Sequence, residues 1–438
     1  MIQVQVGQAG NRIGADFFRC ISAEHGVDSE GKLSEVPAER SYGVHKYFQE
    51  TSKQTFQPRC VLVDLEPSAL DRIRGSAEGR LYSPDQYVFD QVGSGNLFPR
   101  GRYGEGAELA EVAMEAVRKQ AEACDILQGF QFVHSIGGGT GSGLGISLQS
   151  KIREEYLDRM QCSYTVIPSA SVSDNTVEAY NSIFCLYQLV ENVNLTMMFD
   201  NEALYSLVQR KLEIERPTYG EINHQIATAM SGITCPFRFR GLLNSSYRKM
   251  AVNLVPYPRF HFLTVSEAPL SGRHSPAPVL TVPQIIDSVF DPCNYMLQGN
   301  AAEYRAATGF AAFRGDISSF EVENCFTAAA PRTNFTEWFS DPVSTSLCAV
   351  PALNRPLSAT LLLNHGVVVD SFRRMNKQFR ALYQRRAFLH HYLAAGMEEM
   401  EFLEVQSNAD DLVCEYLQGS FSVTCYCCAA EPDDYEEA

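Results

Sequence analysis

Short apolar runs alternate with helical stretches along the first two hundred residues. Residues 2–6 read as a strand and 13–24 as a helix, and 60–64 with 69–74 repeat the pairing. A helix over 107–123 precedes a strand over 130–135, a helix starts over 144–152, and a further strand spans 162–168. Such βα alternation predicts a largely parallel sheet with helices on both faces and ligand loops at the C-terminal ends of its strands. From residue 201 the pattern changes. A helix through 205–212 leads to a longer apolar helix near 222–230, and strands return at 261–265, 310–314 and 357–363. The last part reads as helical over 371–396 and again over 397–417, and no internal repeat is evident.

A chain of 438 residues exceeds one ordinary core, so two or three packed units are expected. With 45% hydrophobic and 20% charged residues it reads as globular and soluble. A net charge of −16 argues against nucleic acid, whose phosphates would repel it, and favours basic partners. There is no charged-then-apolar leader and no apolar run of about eighteen residues, so neither secretion nor a membrane span is expected. The thirteen cysteines read as reduced thiols in the core. Cys425, Cys427 and Cys428 lack the paired spacing of a zinc site and read as a thiol-rich tail.

The chemistry concentrates in Gly137-Gly138-Gly139-Thr140-Gly141-Ser142-Gly143, set between the strand 130–136 and the helix that begins at 144. Strand, glycine turn and helix N-terminus together make an anion site. Residues without side chains let the backbone reach a phosphate, several N–H groups converge, and the helix dipole favours negative charge. Thr140 and Ser142 add hydroxyl donors. A P-loop would end in Gly-Lys-Ser/Thr, which is missing here. A dinucleotide fold would place an acid for the ribose at the end of the next strand, but that strand ends in Pro168-Ser169-Ala170. The cradle belongs to neither class.

The glycine run resembles the signature of the tubulin and FtsZ families. Val6-Gly7-Gln8-Ala9-Gly10-Asn11, Val63-Asp64-Leu65-Glu66-Pro67, Asp200-Asn201-Glu202-Ala203-Leu204 and Asn253-Leu254-Val255-Pro256-Tyr257-Pro258-Arg259 narrow the resemblance to tubulin. These motifs keep the family's order and spacing from residue 2 to about residue 416. Residues 150–156, 230–234 and 385–390 are similar to β-type chains, and 357–372 lacks the insertion carried by the α type. The resemblance implies an α/β, tubulin/FtsZ-like fold. Its N-terminal Rossmann-like GTPase domain would span 1–200 and its mixed intermediate domain 201–372. A C-terminal helical region with a short acidic tail would cover 373–438.

The same resemblance implies GTP or GDP with Mg²⁺ as ligands. Gln8, Ala9, Asn11, Ser135, Gly138, Gly139, Thr140 and Gly141 would surround the phosphates, with the amides of Gln8 and Asn11 as donors. A side chain at Gly139 would occupy the phosphate's space. Ser94-Gly95-Asn96 resembles the loop that senses the outer phosphate. Asp174 and Glu178 match the ribose contacts, and Asn201, Tyr219 and Asn223 the base-recognition trio, amides pairing with the guanine edge and the ring stacking on it. Asp64 and Glu66 are the two carboxylates that would hold Mg²⁺, partly through water, since Mg²⁺ keeps much of its hydration shell.

Departures from the family also carry information. Arg12 stands where glutamine is usual and would add charge near the phosphates. In the loop that reaches a neighbour's nucleotide, Asn244, Ser246 and Lys249 offer no carboxylate. A lysine steadies phosphates but does not serve as a base, so this loop supplies no catalytic residue. Residues 266–280 match the segment bridging neighbouring protofilaments, yet hold Pro276 and Pro278, which remove N–H donors. The implied partners are an α-type tubulin, longitudinal and lateral tubulin neighbours, and basic motor and microtubule-associated proteins. These last would dock on the acidic final helix (Glu398, Glu399, Glu401, Glu404, Asp410, Asp411, Glu415). The implied location is the cytoplasm and cytoskeleton. The second function weighed is a nucleotide-binding homologue that nucleates or forms a non-dynamic lattice.

Overall fold

The computed structural model describes residues 1–34, 37–169, 175–241, 246–273, 277–329, 334–337 and 342–421. Strand β1 (Ile2–Val6) runs straight into α1 (Gly7–His25). After them come α2 (Ala38–Ser41), β2 (Phe48–Glu50), β3 (Phe56–Pro58), β4 (Cys60–Asp64), α3 (Pro67–Arg74) and β5 (Tyr87–Phe89). Next are α4 (Phe98–Arg102), α5 (Glu105–Glu122), β6 (Gly129–Ser135), α6 (Gly145–Glu155), β7 (Met160–Ile167), α7 (Glu178–Asn192), β8 (Leu195–Asp200) and α8 (Asn201–Leu212). The second half begins with α9 (Tyr219–Arg238), α10 (Tyr247–Leu254), β9 (Phe262–Ala268), α11 (Val282–Phe290), β10 (Ala306–Arg314) and α12 (Ser319–Ala329). It ends with β11 (Val343–Cys348), β12 (Ser358–His365), α13 (Val368–Gln384), α14 (Leu389–Ala394) and α15 (Glu399–Tyr416).

Ten of the strands form one sheet in the order β11-β10-β12-β9-β8-β7-β6-β1-β4-β5. From β5 to β9 every neighbouring pair is parallel. Strand β12 lies antiparallel to both β9 and β10, and β11 runs parallel to β10. The strands of the second half thus continue the first sheet, with Thr196 opposite Phe262 at the join. Covered on both faces, β1, β4 and β8 are buried along their whole length, as parallel strands require.

Two expectations about helices are corrected. The first helix starts at Gly7, not at residue 13, so Gln8 and Asn11 lie on its first turn. The helical stretch 371–396 is two helices. Arg386 and Phe388 adopt φ of 48° and 60°, a left-handed backbone that no α-helix continues through, and α13 stops at Gln384. In the expected lateral segment, residues 266–268 belong to β9, where Glu267 is buried and paired with Arg355. Pro278 is exposed, while Pro276, the acidic tail and Cys425, Cys427 and Cys428 lie outside the described residues.

Helix α1 lies against the sheet because two glycines one turn apart remove its side chains there. A Cβ at Gly10 would sit 2.1 Å from the Val133 carbonyl oxygen, and one at Gly14 2.1 Å from Gln5 Cδ. At its C-terminal end α1 carries Glu24, which is buried and receives Arg238 of α9 at 2.6 Å and Arg314 of β10 at 2.8 Å. Ser231 Oγ donates to Glu24 at 2.8 Å, and Arg238 also donates to the Ser231 carbonyl at 2.7 Å. Arg314 reaches the Val350 and Pro351 carbonyls at 3.3 Å. Burial pushes the Glu24 carboxyl up, but the two guanidiniums outweigh it and hold the group well below the usual carboxylate range.

Glu24→Gln keeps the shape but leaves two buried guanidiniums facing a neutral amide. The expected loss is about 3–5 kcal/mol, as when one partner of a buried pair is removed. A denaturant midpoint shifted by less than about 1 kcal/mol, the worth of an exposed pair, would show that the cluster does not hold these elements together.

Candidate functional site

The anion cradle forms where β6 ends. Residues 136–139 turn over, Thr140–Leu144 makes a wider π-type turn, and α6 follows at Gly145. Ser142 folds back on the turn, its N–H donating to the Gly138 carbonyl at 3.3 Å and its hydroxyl to the same oxygen. Ser94 and Thr140 share a hydroxyl contact at 3.1 Å, which brings the 93–97 loop onto the glycines. That loop is tight because Gly93, Gly95 and Asn96 all take left-handed backbone, at φ 72°, 56° and 57°. Ser135 and Gly138 are half-buried and Asn96 is exposed. Glu178, the first residue of α7, has Cγ 3.2 Å from where a Gly137 Cβ would stand.

Helix α1 brings its first turn to the same edge. Gln8 is exposed and Ala9 half-buried. Asn11 is fully buried, and its amide donates to the Gly7 and Val63 carbonyls, both at 3.0 Å. What Asn11 leaves unpartnered is its Oδ1, an acceptor and not a donor. Next to it, at the end of β4, Asp64 is 3% exposed; the Glu66 N–H donates to its Oδ1 at 3.3 Å and its Oδ2 has no partner. Burial pushes the Asp64 carboxyl up to about 7, and the nearby Glu66 charge acts in the same direction. Glu66 itself is exposed and lies against Gly93. Two carboxylates, one of them short of hydrogen bonds, make a site that a hard cation would relieve.

A second group of residues assembles at the N-terminal ends of α8 and α9. Asn201 opens α8, behind Asp200, which caps the Glu202 N–H at 3.0 Å and pairs with Arg374 at 2.8 Å. Tyr219 and Asn223 sit one turn apart at the start of α9, where Thr218 and Glu221 form a capping box. The Tyr219 ring is 53% exposed and meets Tyr205 edge-on at 6.2 Å. Tyr219, Gly220 and Asn223 line a cavity of about 260 Å³, together with Arg12, Asp16, Arg72 and Arg273. Arg12, expected beside the phosphates, therefore faces the α9 residues. Asp174 lies outside the described residues.

The sequence missed Asn181. This buried residue of α7 donates to the Gly137 carbonyl at 2.9 Å and the Asn96 carbonyl at 2.8 Å. Its Oδ1 accepts from the Phe98 N–H at 3.1 Å and the Tyr392 hydroxyl at 2.7 Å. One amide thus fixes the glycine turn, the 93–97 loop and a C-terminal helix relative to one another. Nothing local singled it out, since the same helix also carries Ser182, Gln188 and Asn192.

A profile of the Tubulin/FtsZ family, GTPase domain, matches residues 1–209, and one of the tubulin C-terminal domain matches 258–377. The chain is 47% identical to a nucleomorph tubulin beta chain of Guillardia theta over 421 residues, covering 95% of this chain and 96% of that one. It is 45% identical to the tubulin beta chain of Cicer arietinum, covering 100% and 97%, and 45% identical to the tubulin beta-1 chain of Chondrus crispus, covering 95% and 93%. The chain belongs to the tubulin family.

Within that family it is of the β type, a cytoskeletal subunit whose GTPase domain binds guanine nucleotide. The glycine turn fits such a ligand, and its two central glycines differ in what surrounds them. A Cβ on Gly139 would meet Leu97 N and Ser94 Oγ at 2.6 Å, so this tubulin needs a glycine there to close the 93–97 loop. Gly138 is the open position: a Cβ there meets nothing within 4 Å, and its backbone is not left-handed. Asp64 Oδ2 supplies an unpartnered acceptor for a metal or its water. Among the described residues no cluster of three or more metal-ligating side chains exists, so any metal would take its remaining ligands from phosphate and water. The ten cysteines among the described residues are all free thiols. No helix there is long and apolar enough to cross a membrane.

Gly138→Ala should therefore fold normally yet hold GTP about tenfold more weakly, because its methyl enters the open space of the turn. Gly139→Ala should instead lower the unfolding midpoint of nucleotide-free protein. Retention of GTP at the wild-type level by Gly138→Ala would place the phosphates elsewhere.

Proposed function

We propose that the chain is the β half of a tubulin pair, holding GTP and Mg²⁺ at a site that an α-type partner completes. The phosphates lie among Gln8, Ala9, Ser135, Gly138, Gly139, Thr140 and Gly141, with Asn96 near the outer one. Asn11 positions this end by tying α1 to β4. Asp174 and Glu178 meet the ribose, Asn201, Tyr219 and Asn223 the base, and Asp64 with Glu66 the Mg²⁺, partly through water. The proposed division is 1–200, 201–372 and 373–438; the two family profiles, over 1–209 and 258–377, support only a separation of a first part from a second. The protein works in the cytoplasm with longitudinal and lateral tubulin neighbours. A nucleator or non-dynamic lattice role is not favoured, because the likeness to β chains runs over nearly the whole length.

One observation carries the division of labour between the partners. Helix α10 has no acid in its first turn, Lys249 is exposed there, and the Ser246 hydroxyl caps the helix by accepting the Lys249 N–H at 3.4 Å. Asn244 lies outside the described residues. A loop so equipped steadies a neighbour's phosphates without orienting water for attack. The chain alone should hydrolyse GTP slowly, and an α-type partner should raise turnover at least about tenfold. Lys249→Glu should raise the turnover of the chain alone wherever its copies meet head to tail. Fast turnover by the isolated wild type, rising with its concentration, would contradict this division.

The acidic α15 is the proposed dock for basic motor and associated proteins. Asp410 and Glu415 are spent on Arg380 and Arg259, Glu399 pairs with Arg386 at 3.1 Å, and Glu401 accepts from Tyr103 and the Glu398 N–H. This leaves Glu398, Glu404 and Asp411 exposed without an ion pair among the described residues, Glu404 accepting the Tyr187 hydroxyl at 3.1 Å. Individually weak pairs must act together, screened over roughly 8 Å at physiological salt. Changing Glu398→Gln, Glu404→Gln and Asp411→Asn together should remove most motor affinity, while deleting residues 431–438 should leave most of it. Salt-insensitive binding, or binding unchanged by the triple variant, would refute the assignment.

A further inference from the structure

We propose that Arg12 reads guanine directly, donating to the O6 and N7 acceptors of the base from the wall of the α9 cavity. The inference rests on the assignment of Tyr219 and Asn223 to the base. Arg12 sits one turn beyond Gln8 on α1, and its side chain lines the cavity of about 260 Å³ with those two residues. None of the glycines of the 137–143 turn lines that cavity. The guanidinium therefore faces the base end of the site and not the phosphate end.

The protein supplies Arg12 with no acceptor. Its Nε is enclosed and unpartnered, and among the described residues no carboxylate pairs with it. Asp16, one turn further along α1, is taken by Arg19 at 2.6 Å and Arg273 at 3.2 Å. Glu78, also on the wall, forms no ion pair with the cavity's arginines among the described residues. Burial lowers the Arg12 pKa, and the Arg72 charge lowers it further, so the guanidinium sits in poorly compensated surroundings. An enclosed donor left unmade is costly, and a ligand acceptor relieves it.

Guanine and adenine differ at just this point. Guanine presents O6 and N7 side by side, two acceptors that match the planar fork of an arginine; adenine places an amino donor where O6 would be. An arginine on this wall therefore favours guanine and opposes adenine. Asn201 and Asn223 then need only meet the other edge of the base, and Tyr219 its face.

The test is equilibrium binding of GTP, 7-deaza-GTP and ATP to nucleotide-free wild type, Arg12→Gln and Arg12→Lys, with unfolding midpoints as a check on folding. Removing N7 should weaken binding to the wild type about tenfold. In Arg12→Gln the N7 penalty should shrink to near nothing and the ratio of GTP to ATP affinity should fall, whereas Arg12→Lys, whose ammonium still donates to O6 or N7, should keep part of both. Arg12→Lys keeps the charge and loses only the planar fork, so an intermediate N7 penalty there, with ATP affinity unchanged, separates base reading from attraction to phosphate. A wild type that prefers GTP yet binds 7-deaza-GTP equally well overturns the role of Arg12 alone. So does a variant that loses GTP and ATP affinity in equal measure. A wild type that binds ATP as well as GTP overturns the assignment of the base end, and this inference with it.

Discussion

One buried carboxylate sets the geometry on which the nucleotide site depends. Glu24 closes the C-terminal end of α1 against Arg238 at the C-terminal end of α9 and Arg314 of β10. The two helices pack together, and each begins at the site, α1 with Gln8 and Asn11, α9 with Tyr219 and Asn223. At 1.5 Å per residue the charge cluster lies roughly 25 Å from those first turns. The proposed phosphate and base ends are thus carried on two rods pinned together far from the candidate site. Two guanidiniums and one carboxylate in the interior hold only because serine and backbone oxygens satisfy the remaining donors.

The pinning also joins the two halves of the chain. Arg314 belongs to the strand pairs that extend the parallel sheet, so a displacement of β10 meets the same carboxylate as a displacement of α9. Asn181 does comparable work at the ligand end, where one amide bonds the glycine turn, the 93–97 loop and Tyr392 of α14. Loops that meet a ligand are usually the mobile part of a fold. Here they are tied to the core by a few buried polar groups, which gives the site its preorganisation.

The electrostatics of the site are divided by the same framework. Asp64 is buried with an unpartnered Oδ2 at the proposed phosphate end, and the half-buried Arg12 has an enclosed, unpartnered Nε at the proposed base end. A nucleotide bound as proposed, with its metal, would answer both needs at once.

Much of this was legible in the residues. The apolar runs at β1, β4, β6 and β7 marked strands because parallel strands are buried on both faces, and the glycine run marked an anion turn because only glycine allows such close approach. The break at Arg386 and Phe388 was not legible, since neither residue signals left-handed backbone and tertiary packing imposed it. Nor was Asn181, whose partners lie 44 to 211 residues away. Local pattern fixes which segments are helix, strand and turn, because those depend on neighbours in sequence. Which polar groups are spent inside, as with Asn11 and Asn181, and which keep an unpartnered atom at the candidate site, as with Arg12 and Asp64, depends on contacts between distant segments. That choice belonged to the tertiary structure alone.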